Sequence, residues 1–96
     1  MIEVRRTAEF EKWLNGLTDV RAYARISKRL VTVEGGSFGD WKPVGDGISE
    51  LRIDYGQGYR LYYVQRGQVV IVLLCGGDKS TQAKDIKLAK ELAKGV

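Results

Sequence analysis

The sequence predicts an α+β domain in the order β-α-α-β-β-β-α. A small antiparallel sheet would pack against two N-terminal helices, with a further helix at the C-terminus. Three observations predict it. The block Glu50–Gln82, ELRIDYGQGYRLYYVQRGQVVIVLLCGGDKSTQ, alternates in period two between glycine turns. Ahead of it, apolar residues recur at helical spacing in two segments, and behind it a lysine-rich segment does the same. Helices and strands grouped in runs, rather than strictly alternating, mark the α+β class.

Taken in order, Ile2–Arg5 alternates and reads as a first strand. Thr7 can cap a helix whose Glu9 and Glu11 favour the positive end of its dipole and whose apolar stripe is Phe10, Trp13, Leu14 and Leu17. Thr18 or Asp19 caps a longer helix that buries Ala22, Ile26, Leu30 and Val33. Residues Glu34–Gly47, with several glycines and the only proline, read as a loop, with Trp41 as a core plug rather than a base-stacking platform. Strands follow at Ile48–Tyr55, Tyr59–Gln65 and Gln68–Cys75, joined by Gly56-Gln57-Gly58 and Arg66-Gly67. Gly76-Gly77 is expected to break the last strand. Asp78 or Ser80 then caps a helix with Ala83, Ile86, Ala89 and Leu92 or Ala93 inward.

At 96 residues the chain is expected to form one domain, residues 1–96, with a single core. No apolar run approaches the roughly 20 residues that span a bilayer, so no membrane partner is expected. With no histidine and one cysteine, the chain has no ligand set for a structural zinc and no Cys–His nucleophile; no metal or other cofactor is implied. Cys75 reads as a buried thiol in a cytoplasmic protein. Sixteen basic and twelve acidic residues give a net charge of +4, whose meaning depends on where the charges fall.

Simple turns give a definite sorting of the sheet faces. Pairing 65 with 68 across Arg66-Gly67, and 55 with 59 across the other turn, puts 52 opposite 62 and 54 opposite 60. Leu51, Ile53, Leu61, Tyr63, Val70, Val72 and Leu74 then face the N-terminal helices. Glu50, Arg52, Asp54, Arg60 and Tyr62 face the other way, beside Val69, Ile71 and Leu73, with Asp78 and Lys79 at the sheet edge. A bulge at Gly56–Gly58 would remove Arg52 from this group. Arg60 is expected outside the core, so that its removal would leave the fold intact.

Interleaved charges on a sheet face can be ordinary cross-strand ion pairs. They can equally be a phosphate site. Cleavage of RNA by its own 2′-hydroxyl needs a base, a cation for the pentacoordinate phosphate and an acid for the departing 5′-oxygen. Arg60 is the first choice for the phosphate, because its guanidinium is a fixed fork that stays charged. Lys79, near a helix N-terminus, can stabilise charge or donate a proton. Arg52 can grip a neighbouring phosphate, and Tyr62 can stack on a base or relay a proton. The carboxylates available as a base are Glu50, Asp54 and Asp78, unless they pair with the arginines. On the second helix Arg21, Arg25, Lys28 and Arg29 share one stripe, either a solvated face or a phosphate track. Ser80, Lys84 and Lys87 are further candidates for RNA or ribosome contact.

The runs Glu50-Leu-Arg, Gly58-Tyr-Arg-Leu-Tyr-Tyr63 and Leu74-Cys-Gly-Gly-Asp-Lys-Ser-Thr-Gln82 resemble the HigB-like "addiction module killer" group of the RelE/ParE superfamily of type II toxins. The likeness covers nearly the whole chain. It implies a RelE-like fold and a toxin that cuts mRNA on the ribosome without a metal. It also implies a cognate antitoxin, commonly a HigA-like helix-turn-helix protein, through which the complex binds operator DNA. In RelE-type relatives the arginine of the Tyr-Arg-Leu strand is a catalytic cation, here Arg60, and Lys79 is the nearest match to a second basic residue. The tyrosine that follows it in RelE is replaced by Asp85 or thereabouts, and the histidine-tyrosine ending of the YoeB-like group is absent. The resemblance therefore leaves the acid and base unassigned. Two alternatives are a ParE-like inhibitor of DNA gyrase without nuclease activity and a non-toxic remnant that still binds antitoxin. The presence of Arg60, Lys79 and Arg52 favours the nuclease.

Overall fold

Thr7 and Asp19 start the first two helices as their side chains dictate. Thr7 Oγ1 accepts from the Phe10 amide at 3.0 Å and opens α1 (Ala8–Asn15). Asp19 accepts from the Arg21 and Ala22 amides at 3.0 and 3.2 Å and opens α2 (Val20–Glu34). The computed structural model describes all 96 residues, Met1–Val96. Five strands, β1 (Glu3–Arg6), β2 (Trp41–Gly45), β3 (Ile48–Ile53), β4 (Tyr59–Arg66) and β5 (Val70–Asp78), form one sheet in the order β1-β5-β4-β3-β2. A 3₁₀ turn, Lys79–Thr81, leads into α3 (Gln82–Ala93). The protein is thus an α+β domain with a mostly antiparallel sheet; β1 is the exception and runs parallel to β5. No helix is long and apolar enough to cross a membrane.

The two helices of the first layer bury what their periodicity predicts. Phe10 and Leu14 of α1, and Ala22, Ile26, Leu30 and Val33 of α2, pack on Leu51, Ile53, Leu61 and Tyr63. On the opposite face α3 lays Ala89, flanked by Ile86, Leu92 and Ala93, over Ile48, Tyr62, Val64, Val72, Leu74 and Cys75. The sheet is therefore covered on both sides.

Three sequence expectations fail for identifiable reasons. First, the β4–β5 turn has three residues, Gly67–Val69, so Arg66 pairs with Val70 and Tyr63 with Leu73. The pairing is three positions from the two-residue turn, an odd number, and the faces of β5 exchange. Ile71 and Leu73 join the α1/α2 core, while Val70, Val72 and Leu74 face α3, and Val69 lies exposed in the turn. A bulge between Tyr62 and Tyr63 accommodates Leu74 as an extra residue. No such bulge disturbs Gly56–Gly58: Arg52 lies opposite Arg60 and Glu50 opposite Tyr62. That is two positions from the expected register, which preserves the faces.

Second, part of the expected loop is β2. Asp46 and Gly47, both at positive φ, make a two-residue hairpin turn between Gly45 and Ile48. Pro43 is tolerated because β2 is an edge strand. Trp41 lies on that edge and is 50% exposed, not a core plug.

Third, Gly76-Gly77 does not break β5. Gly76 pairs with Leu61 and Gly77 with Arg60, so their missing side chains fall on opposite faces. A Cβ on Gly76 would stand 2.3 Å from Trp13 Cε3, and one on Gly77 would stand 1.8 Å from Asp85 Oδ2. The glycines are in the strand because α1 and α3 press an indole and a carboxylate against its backbone.

Gly76→Ala is expected to destabilise the fold by about 1–3 kcal/mol through displacement of Trp13. Gly95→Ala, whose Cβ would meet nothing closer than 3.7 Å, is the control. Urea unfolding midpoints compare the two.

Candidate phosphate site

The β3–β4 pairing sets Arg52 and Arg60 side by side on the sheet face shared with α3, and their common neighbour is Glu50. Glu50 is 1% exposed. Its Oε2 stands 3.7 Å from Arg60 Nε and 3.8 Å from Arg52 Nε, and its Oε1 accepts from Gln82 Nε2 at 2.8 Å. The carboxylate is thus enclosed by two guanidiniums and an amide donor. Glu50 is therefore committed to holding the arginines and is not a free base.

Arg60 is 5% exposed, which corrects the expectation that it lies outside the core. Its Nη1 donates to the carbonyls of Tyr59 and Gly58 at 3.0 and 3.2 Å, while its buried Nε has no hydrogen-bond partner. The period of two sent it to the face predicted, but α3 closes that face around it.

Above Arg60 opens a polar cavity of about 270 Å³ lined by Asp40, Arg52, Asp54, Arg60 and Lys79. Lys79 reaches it from the first residue after β5. Its stem lies on Gly58, where a Cβ would come within 2.7–2.9 Å of Lys79 Cγ, Cδ and Cε. Gly58 (φ 75°) thus serves both cations: its carbonyl holds Arg60, and its bare α-carbon admits Lys79. Arg52, 39% exposed, forms one wall, 4.0 Å from Asp40 Oδ2. Asp54, exposed and without an ion-pair partner, forms another.

Several expected site residues fall elsewhere. Tyr62 is fully buried, with a hydroxyl that has no hydrogen-bond partner, so it neither stacks on a base nor reaches the cavity. Burial, aided by the charges of Glu50 and Asp85, raises its pKa. Asp78 caps the 3₁₀ turn, and bonds from the Ser80 hydroxyl and amide lower its pKa, which makes it a poor proton acceptor. Ser80 is occupied in the same motif. Lys84 and Lys87 are exposed on α3 and do not line the cavity. Asp85, far from replacing a catalytic tyrosine, is buried against Gly77 and accepts from Thr81 Oγ1.

The α2 stripe divides. Arg29 is structural: its guanidinium donates to the carbonyls of Arg52 (2.9 Å), Asp40 (3.3 Å) and Phe38 (3.5 Å), and so ties α2 to the ends of β2 and β3. Arg21, Arg25 and Lys28 have no ion-pair partner. Sequence reasoning missed Asp40, Gly58 and Gln82. Only Gln82 had a legible signal, its place in the first turn of α3 beside the predicted site.

Three cations, with Asp40 and Asp54, line a cavity that has no hydrophobic residue in its wall, an arrangement chemically suited to an anion. Arg60 offers a guanidinium fixed by two carbonyls, Lys79 an ammonium, and Arg52 a second guanidinium at the mouth. A family model described as "Phage derived protein Gp49-like (DUF891)" matches residues 12–94, which include the whole site. An uncharacterized protein of Haemophilus influenzae is 54% identical over 92 residues, 96% of this chain and 93% of its own length.

Glu50→Ala leaves Arg60 buried without its carboxylate and is expected to cost about 3–5 kcal/mol of stability, measured by chemical denaturation. Arg52→Ala, at a half-exposed position, should cost no more than about 1 kcal/mol. A pH dependence follows from Cys75, whose thiol is pushed by burial from its ordinary 9.0 to about 12. The folded state favours the neutral thiol. Its contribution is complete below the unfolded value and is lost as pH rises through the window from 9.0 to about 12. Tyr62, raised in the same sense from 10.0, adds to this alkaline loss. Urea titrations across that window should show falling stability, with a shallower fall in Cys75→Ala.

Proposed function

This chain belongs to the family of phage-derived Gp49-like proteins, and on that premise we propose that it is the toxin of a type II toxin–antitoxin module. Its activity is endonucleolytic cleavage of translated mRNA. The observation that carries the reading is the convergence of Arg52, Arg60 and Lys79 on one polar cavity. Family membership supports a toxin–antitoxin-like role, and the HigB-like resemblance of the Tyr59-Arg-Leu strand and the Gly76–Gln82 corner supports mRNA as the target.

In the proposed reaction the scissile phosphate lies over Arg60, whose Nη1 is held by two backbone carbonyls and whose Nη2 is left to face a non-bridging oxygen. The 2′-hydroxyl attacks phosphorus and passes its proton to a carboxylate. Asp54 is the lining carboxylate without an ion-pair partner: Glu50 is enclosed by arginines, Asp78 is capped and Asp40 stands 4.0 Å from Arg52 Nε. The O2′–P bond forms and the P–O5′ bond breaks, leaving a 2′,3′-cyclic phosphate. Lys79 supplies the proton to the departing 5′-oxygen. Arg60 gains most as charge develops on the pentacoordinate phosphate, the type of contact whose removal costs about 10²–10³ in rate. The protein works in the cytoplasm, and a helix-turn-helix antitoxin neutralises it and carries the complex to operator DNA.

Arg60→Lys keeps a cation beside Glu50 but loses the planar guanidinium and its fixed orientation. It is the better probe than Arg60→Ala, which empties a buried site. Inducible expression in bacteria with 5′-end mapping of mRNA should show in-frame cuts for wild type, and about 10²-fold fewer for Arg60→Lys and for Lys79→Ala. Growth arrest with intact message and accumulating DNA breaks would instead move the protein to the gyrase-inhibitor class.

A further inference from the structure

The polar cavity over Arg60 does not end at Asp54. The same residue walls a second cavity of about 340 Å³, lined by Arg25, Lys28, Arg29, Thr32, Ile53 and Asp54. A third, of about 480 Å³, continues from Arg25 and Lys28 to Arg21. Cations of β3, β4 and the β5–α3 corner thus pass into those of α2 along one surface, with Asp54 at the junction.

Two features distinguish this second cavity from an ordinary solvated helix face. The first is its charge. Between its cap Asp19 and its last residue Glu34, α2 carries Arg21, Arg25, Lys28 and Arg29 and no carboxylate. Helix surfaces that only need solubility interleave acids for i,i+4 pairing. Here Arg21, Arg25 and Lys28 face solvent unneutralised. The second is order. The Arg25 guanidinium lies over the Tyr55 ring, 4.7 Å from its centroid, and Tyr55 Oη donates to both oxygens of Asp19 at 3.2 and 3.3 Å. A guanidinium stacked on an anchored ring has lost much of its rotamer freedom before any ligand arrives.

We propose that the Arg25–Lys28 cavity is a binding subsite for the nucleotide next to the one cleaved. It takes a phosphate of single-stranded RNA on Arg25 and Lys28, with the stacked Arg25 plane offered to the adjoining base. This rests on the reading of the Arg60 cavity as the scissile-phosphate site. Arg29 is excluded as a ligand because three carbonyls already occupy its guanidinium. Asp54, on the ridge between the subsites, keeps the two phosphates apart by repulsion.

The test is binding of a fluorescein-labelled octanucleotide and a dinucleotide, both fully 2′-O-methylated so that they cannot be cut, to the full chain over a range of salt. Arg25→Ala/Lys28→Ala should weaken octanucleotide binding by about tenfold per cation. It should also lower the slope of log affinity against log salt by about 0.7, one single-strand phosphate's worth. Dinucleotide binding should not change. Unchanged octanucleotide affinity and slope, or an octanucleotide bound no more tightly than the dinucleotide, would overturn the subsite. Message cleavage in cells reports separately on the nuclease. Cleavage with an unaltered slope removes the subsite alone; a lowered slope without cleavage removes the nuclease, and the subsite with it, and leaves only a single-stranded RNA contact on α2.

Discussion

The site is organised by the enclosure of one carboxylate. Glu50 is almost completely withdrawn from water, and an isolated charge there would cost several kcal/mol. Its neighbours offset that cost: Arg60 and Arg52 along the sheet, and Gln82 from the first turn of α3. Each neighbour belongs to a different element, so the demand of one buried charge fixes β3, β4 and the start of α3 relative to each other. Arg60 gains orientation from the same arrangement. With Nη1 held by two carbonyls and Nε turned towards Glu50, little reorganisation remains when an anion arrives, which is the condition for effective electrostatic stabilisation. The partial neutralisation by Glu50 is tolerable because Arg52 and Lys79 stand at the rim of the same cavity.

A second constraint brings Lys79 to that rim. Strand β5 continues through Gly76 and Gly77 to Asp78, two glycines later than a chain with side chains there could. Trp13 and Asp85 occupy the space those side chains would take, so α1 and α3 press directly on the strand backbone here. Asp78 then turns the chain with its own cap, and Lys79 emerges over Gly58. Had β5 ended at Cys75, Lys79 would have left the sheet before reaching Arg60. The same close packing explains why Asp85 and Tyr62, polar residues in a region that invites catalytic assignment, are structural.

What was legible in the sequence was local. The caps at Thr7 and Asp19, the four buried positions of α2, the α+β class and the common face of Glu50, Arg52 and Arg60 all follow from period and cap chemistry. What was not legible depended on long-range packing. The exchanged faces of β5 hinge on one extra residue in a turn and one in a bulge, and neither Gly67-Gln68-Val69 nor Leu74 announces itself. Asp46-Gly47 did carry a hairpin signal, and β2 was recoverable from it. The burial of Arg60 was hidden for another reason: a charged residue on a sheet face reads as exposed until the helix that covers it is placed. Asp40 could not be found at all, since its position depends on Arg29 pulling the start of β2 towards β3.

The placement of charge carries the functional argument further than its total. A net charge of +4 is unremarkable for 96 residues, and several cations are spent internally. Arg29 binds carbonyls, Arg66 donates to the carbonyls of Ala93 and Val96, and Arg6 pairs with Glu11. Acids are spent likewise, Asp19 and Asp78 as caps and Glu50 within the sheet. With those groups set aside, Arg52 and Lys79 at the cavity rim and Arg21, Arg25 and Lys28 on α2 remain on one side, opposed chiefly by Asp40 and Asp54. A surface built this way raises the local concentration of polyanions and loses that advantage as salt screens it. A buried, pre-aimed guanidinium at the end of such a surface suits chemistry on a backbone phosphate better than recognition of a base.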